Sequence, residues 1–386
     1  MNNKIDIPQG WEIKKLGEIG RFLKGKGISK NNITQTGVYC ITYGEIYTKY
    51  NFYADKCYSF IPKDYTSETT RIYFNDLLFT GSGETQEEIG KVIVYFNDLE
   101  CYAGGDVIIL RLSEDILGIY LSFYLNTIGR KTINKLGQGK SVVHIYPSFL
   151  NNILVPIPPL EEQKKIADIL LTWDKAITTL KEIIQQKELQ KKGLMQNLLT
   201  GKKRLDGFND EWKEVKLKNI CNVTTGTKNT QDKVSNGTYP FVIRSEKLER
   251  INTYTCDEEA ILTAGDGKIG EIFHYINGKF DFHQRVYKLS DFRNIYGRYL
   301  FYMFKKNFKK RVISMSAKST VDSVRMEMIT DMVLFIPTSI EEQKKIAEIL
   351  MKADEEIELL NKQLELYTEQ KKGLMQQLLT GKIRVN

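Results

Sequence analysis

One block of this sequence occurs twice. Residues 161–202 and 341–382 align without a gap at a constant offset of 180, and 24 of the 42 positions are identical. Both copies open with EEQKKIA, at Glu161–Ala167 and Glu341–Ala347, and close with KKGLMQ and LLTGK, at Lys191–Lys202 and Lys371–Lys382. A fixed-offset match of this length means an internal duplication, so the chain must fold as two related halves. The diverged middles keep a common period. In the first copy, Ile166, Trp173, Leu180, Lys187 and Leu194 alternate with Leu170, Ile177, Ile184, Lys191 and Leu198. In the second, Ile346, Ala353, Leu360, Tyr367 and Leu374 alternate with Leu350, Ile357, Leu364, Lys371 and Leu378. Spacings of four and three in alternation are the seam of a coiled coil. Each helix should run about 40 residues, or ~60 Å at 1.5 Å per residue. Prolines precede both, at Pro156, Pro158 and Pro159 and at Pro337, as expected near helix starts.

The regions ahead of the helices correspond more faintly. WEIKKL at Trp11–Leu16 parallels WKEVKL at Trp212–Leu217, and short strands follow at Thr36–Thr42 and Asn236–Ile243. Apolar runs then enter glycine turns, LLFTGSG at Leu77–Gly83 and ILTAGDG at Ile261–Gly267. Alternating strands are expected at Lys91–Phe96 and Val107–Leu112, and at Gly270–Tyr275 and Arg285–Leu289. Amphipathic helices begin at Gly118 and Gly297. The fold class is α+β: two globular mixed α/β domains, residues 1–155 and 204–336, separated by two long helical segments, 156–203 and 337–386. An antiparallel helix pair would relate the two domains by a pseudo-twofold axis and place them at opposite ends of a rod. Two diverged domains so arranged suit a bipartite, asymmetric target, and duplex DNA is one.

Charge agrees in sign. The net charge is +8, and residues 204–335 alone hold 22 basic against 17 acidic side chains, which favours a polyanionic partner. The five cysteines lack CxxC spacing, so reduced thiols and no structural zinc are expected. The sequence contains no stretch of about 18 uncharged apolar residues and no secretory signal at Met1–Gly10. A cytoplasmic protein without a membrane partner is therefore expected.

The repeated EEQKKIA opening after a proline-bearing strand end, and the KKGLMQ and LLTGK closing, resemble the specificity subunit of type I restriction–modification enzymes. The resemblance covers essentially the whole chain. It implies two target-recognition domains, each reading one half of a split double-stranded DNA site. It also implies two methyltransferase subunits docked on the helices, and translocase–endonuclease subunits joining them for restriction. This chain itself would be non-catalytic and hold no cofactor, with S-adenosylmethionine, ATP and Mg²⁺ expected on the partner subunits. Two other classes compete: a coiled-coil scaffold without DNA specificity, and a lone DNA-modifying enzyme with unrecognised motifs.

Catalytic motifs are missing. GQGKS at Gly137–Ser141 lacks the glycine that a phosphate-binding loop needs at Asn134, and GSG at Gly81–Gly83 reads as a turn between strands. No NPPY-like tetrad is present, and His144, His274 and His283 show no partner spacing for metal or triad chemistry.

Candidate DNA-binding residues follow from donor chemistry. Arg and Lys suit guanine, Gln suits adenine, aromatics suit thymine methyls, and cations beside glycine turns suit phosphates. In the first domain these are Lys24, Lys26, Lys30, Tyr43, Arg71 and Lys140. In the second they are Lys228, Arg244, Lys268, Gln284, Arg285 and Lys318. The basic run Lys305, Lys306, Lys309, Lys310 and Arg311 reads equally well as a solvated helix end. The identical helix ends read as duplicated surface for two equivalent methyltransferase subunits. Candidate docking residues are Glu161, Glu162, Gln163, Lys164, Lys191 and Lys192, with Glu341, Glu342, Gln343, Lys344, Lys371 and Lys372.

Overall fold

The structure, a computed structural model, describes residues 7–139, 142–315 and 323–385. Two compact units emerge, residues 1–180 with 363–386, and residues 181–362.

In the first unit a five-stranded sheet runs in the order Gly20–Lys24, Val107–Leu112, Leu77–Thr80, Val92–Tyr95 and Tyr53–Ala54. A four-stranded sheet joins Ser59–Ile61, Val38–Ile41, Cys101–Ala103 and Thr70–Ile72. The run VIVY at 92–95 is buried throughout, the mark of a strand covered on both faces. The helix Gly118–Asn126 covers the larger sheet and buries every residue from Gly118 to Leu125. It is apolar all round and not amphipathic as its sequence suggested, because a core encloses it on every side. An antiparallel ribbon pairs Glu12 with Ile157 through Lys15 with Leu154, so the chain's beginning is stitched to the segment that enters the first long helix.

The second unit repeats the plan with one sheet of six strands. Their order is Asn222–Thr225, Val286–Ser290, Cys256–Ala264, Phe273–Phe282, Tyr239–Val242 and Glu249–Ile251. Its helix Gly297–Ser314 buries Tyr299, Leu300, Phe304 and Phe308 among other residues, and its ribbon pairs Trp212–Lys216 with Val333–Pro337. The strands expected at Val107–Leu112, Lys91–Phe96 and Asn236–Ile243 are present within a residue or a few at each end. The one expected at Gly270–Tyr275 starts late and runs on to Phe282.

Helix α1 spans Leu160–Leu198 and helix α2 spans Ile340–Leu378, 39 residues each. None of the twenty seam positions is exposed. In the first unit Ile166, Ala167 and Leu170 share a core with Met375, Leu378 and Leu379. Trp173 meets Tyr367 edge to face at 5.4 Å. In the second unit Leu198 and Leu199 share a core with Ile346, Ala347 and Leu350. Within each unit the start of one helix therefore packs against the end of the other, an antiparallel pairing. Three seam positions carry lysine: Lys187 pairs with Glu356 at 2.6 Å, and the other two are each paired with an aspartate. Lys371 bonds Asp174 at 2.5 Å, and Lys191 bonds Asp354. The two aspartate pairs are equivalent at the offset of 180. No helix among the described residues is long and apolar enough to cross a membrane.

Candidate nucleic-acid interface

The EEQ triplets are internal anchors. Gln163 accepts from the Leu117 amide at 2.8 Å and donates to the Pro158 carbonyl at 2.9 Å. Gln343 does the same with Tyr296, at 2.8 Å, and Pro337, at 3.0 Å. Leu117 and Tyr296 stand just before the core helices of their units, so each glutamine fixes a helix start to the long helix. Glu162 accepts from Trp11 Nε1 at 2.9 Å and from Arg384 Nε and Nη2 at 2.7 and 2.8 Å. Glu342 accepts from Arg204 through the same two nitrogens at 2.7 and 2.8 Å. Burial pushes the Glu162 carboxyl up, but Arg384 and Trp11 together hold it below the usual range.

These contacts correct one expectation. Glu162, Gln163, Glu342, Gln343 and Lys371 are buried and cannot form an outer docking surface. Their identity between the copies follows from equal internal work. Lys191 is largely covered by its Asp354 pair. Glu161, Lys164, Lys192, Glu341, Lys344 and Lys372 are exposed, so the candidate docking surface narrows to them.

In the first unit, Lys24 ends its strand and its carbonyl accepts from Thr70 Oγ1 at 2.7 Å, which brings it beside Arg71. The Arg71 guanidinium stands 5.1 Å from the Tyr73 ring centroid, and Arg111 stands 4.5 Å from the same ring. Gly25 explains the loop that follows. A Cβ there would lie 2.0 Å from the Gly104 carbonyl, so only glycine lets Lys24 and Lys26 flank so close a crossing. Gly226 has the same role in the second unit, 2.1 Å from the Phe282 carbonyl. Tyr43 opens a separate short helix and is exposed. The structure does not bring it together with Lys24, Lys26 and Arg71 through any bond among the described residues. Lys140 and Lys318 lie outside the described residues, as does the Lys30 side chain.

The second unit gathers its candidates tightly. Asp266 is 8% exposed. It accepts from Arg244 Nη1 at 3.0 and 3.1 Å and from Arg285 Nη1 at 2.8 Å. Burial raises its pKa, and the two guanidiniums outweigh that and keep it ionised. Gln284 donates to Asn229 Oδ1 at 2.7 Å, and its backbone amide donates to the Lys228 carbonyl at 2.9 Å. His283 is buried and accepts at Nδ1 from the Arg285 amide at 3.0 Å. Lys268 lies on the adjoining turn, 3.5 Å from Glu246. A shallow pocket of about 200 Å³ opens among Thr225, Gly265, Asp266, Gln284, Arg285 and Tyr287. Of the basic run, Lys309 is taken up by Glu271 at 2.6 Å.

Two contacts escaped the sequence. His144 Nδ1 lies 2.9 Å from Ser82 Oγ, on the position of the first unit that matches Asp266. Asp266 itself was overlooked, although the ILTAGDG turn carries it. Among the described residues no group of three His, Cys, Asp or Glu side chains could hold a metal ion.

Two related α/β units, each with its own core and a tight glycine crossing, define a tandem two-domain α/β protein. The model of the type I restriction modification DNA specificity domain matches residues 8–189 and 209–366, and the chain belongs to that family of specificity subunits. The specificity subunit of type I restriction enzyme MjaVIII from Methanocaldococcus jannaschii is 25% identical over 415 residues, 99% of this chain and 95% of the relative. The EcoDI specificity subunit of Escherichia coli is 31% identical over 170 residues, 44% of this chain and 37% of its own. In fold, the chain is similar to the S subunit of a type I restriction–modification system from M. genitalium. That likeness has a TM-score of 0.67 at 16% identity, over 98% of this chain and 97% of the other.

Proposed function

We propose that this chain is the non-catalytic, sequence-reading subunit of a type I restriction–modification complex. Each unit reads one half of a bipartite, asymmetric site in double-stranded DNA. The exposed residues at the helix ends dock two methyltransferase subunits, and translocase–endonuclease subunits complete the restricting complex. S-adenosylmethionine, ATP and Mg²⁺ belong to those partners. The observation that carries this reading is the duplication with divergence. The scaffold positions, Trp11 with Glu162 and Gln163, recur as Trp212 with Glu342 and Gln343, while the loop positions that could face a duplex differ. Matching scaffold positions with different loops are what reading two different half-sites requires.

A net charge of +8 spread over two small domains supplies limited phosphate contact by the chain alone. The purified chain should bind duplex DNA weakly and with little specificity. Adding the methyltransferase subunits should produce tight, specific binding in a gel-shift titration at fixed salt. Full specificity from the chain alone would contradict this reading, and no DNA binding even with the subunits present would favour a scaffold.

A further inference from the structure

The two glycine turns are bonded alike. In the first unit the Gly81 amide donates to the Asp106 carbonyl at 2.6 Å, and the Gly81 carbonyl accepts from the Ile145 amide at 3.0 Å. In the second unit the Gly265 amide donates to the Arg285 carbonyl at 2.8 Å, and its carbonyl accepts from Val324 at 2.7 Å. Strand register agrees, with Thr80 opposite Val107 and Ala264 opposite Val286. Gly105–Asp106 and Gln284–Arg285 are therefore the same two positions of one turn. The first unit places there a glycine and an aspartate in the left-handed region, at φ 60°. The second places two long side chains with directional donors.

Those side chains are held and only partly used. Asp266 is fixed by Arg244 on both carboxylate oxygens, so it offers Arg285 a rigid acceptor. Arg285 spends Nη1 on it and remains 63% exposed. Among the described residues its Nε–Nη2 edge has no hydrogen-bond partner, and that planar edge matches guanine O6 and N7. Gln284 spends one N–H on Asn229. Its Oε1 and second N–H remain for the N6 amine and N7 of adenine. Three cationic side chains, Arg244, Lys268 and Arg285, surround Asp266 and Glu246, which leaves this face with a positive surplus. Arg285 held by a rigid buried carboxylate has less rotamer freedom to lose on binding, which favours a specific contact over a loose phosphate contact.

We propose that Gln284 and Arg285 are base readers of the second unit, recognising an adenine and a guanine on neighbouring base pairs, and that Asp266 and Asn229 are positioning residues for them. The first unit has no counterpart at this turn, so it reads its half-site by other side chains. This rests on the function proposed above and names the residues that carry it out in one half.

The test is methylome sequencing of cells whose only specificity subunit is this chain or a variant, with its methyltransferase present. Gln284→Ala should make one A·T position of the motif degenerate, and Arg285→Ala should do so at an adjacent G·C position. Each should reduce discrimination at that position roughly 5- to 150-fold, the range of one good bidentate base contact. The other half of the motif should stay intact. Asp266→Asn should relax the Arg285 position alone, and Asp266→Glu should partly restore it. A merely structural aspartate would instead lower methylation evenly. Thermal melting of each variant guards against unfolding, which is not expected for the exposed Gln284 and Arg285. An unchanged motif in folded Gln284→Ala and Arg285→Ala proteins overturns the assignment while leaving the proposed function standing. A motif that persists when the whole gene is deleted overturns both.

Discussion

Glu342 has no exposed surface, and its carboxylate depends on Arg204 across a sequence separation of 138. Arg204 also lies 5.7 Å from the Trp212 ring, but among the described residues Trp212 Nε1 has no hydrogen-bond partner. In the equivalent site Trp11 does donate to Glu162. The two clasps are therefore unequal. Arg204→Ala strands a buried charge and should cost about 2–3 kcal/mol, less than for a fully buried pair because the arginine is about a third exposed. Arg384→Ala should cost less, because Trp11 still serves Glu162. Calorimetric melting of the two variants checks the order; a larger loss from Arg384→Ala would contradict it.

His283 and His274 supply a pH dependence. Burial lowers the pKa of each; Arg244 lowers His283 further, while the Ser245 carbonyl opposes the shift at His274. Both are held neutral in the fold, while the unfolded chain takes up protons below about pH 6.5. Stability should thus be complete above that pH and fall as pH drops below it toward the lowered native values. Asn at position 283 keeps an acceptor near Nδ1 but takes no proton. His283→Asn should therefore flatten the decline in denaturant midpoint between pH 6.5 and 5. An unchanged slope would show that His283 does not titrate as argued.

At the scale of elements, a lysine in each helix seam is a repeated choice. Lys371 is buried over the Phe52 and Phe123 rings, at 4.7 and 5.1 Å from their centroids, with Asp174 as its partner. Lys371→Met should destabilise the protein by about 1–3 kcal/mol, because Asp174 stays partly buried and loses its charge partner. Adding Asp174→Leu should return most of that loss, since a matched apolar pair removes the stranded charge. Urea midpoints of the single and double variants measure it, and simple additivity would contradict it.

The long helices were legible because a heptad seam depends on local spacing alone. The burial of Glu162, Gln163, Glu342 and Gln343 was not, since a charged triplet opening a helix looks the same whether it meets water or a buried arginine. Arg204 and Arg384 lie beyond the helix ends and reach back by tertiary packing. The Asp266 site was half legible. Its cations stood out one by one, but Arg244, Asp266 and Arg285 are 22 and 19 positions apart, and only sheet register brings them together. Lys24 and Arg71 come together between two different sheets, through the Thr70 hydroxyl on the Lys24 carbonyl, whereas Tyr43, grouped with them by sequence, sits on a helix of its own.

At the scale of the whole molecule, each unit owns a core and a scaffold clasp, and the diverged loops sit on otherwise repeated frames. A graft at the first unit should therefore be tolerated where it keeps Trp11, which serves Glu162, and the helix start at Leu117, which serves Gln163. The most direct measurement replaces residues 1–150 by the matching segment of another specificity subunit and sequences the methylome of cells carrying the hybrid with its methyltransferase. The motif should change in one half and keep the other half base for base. A change in both halves, or in neither, would contradict a protein that reads DNA with two independent units.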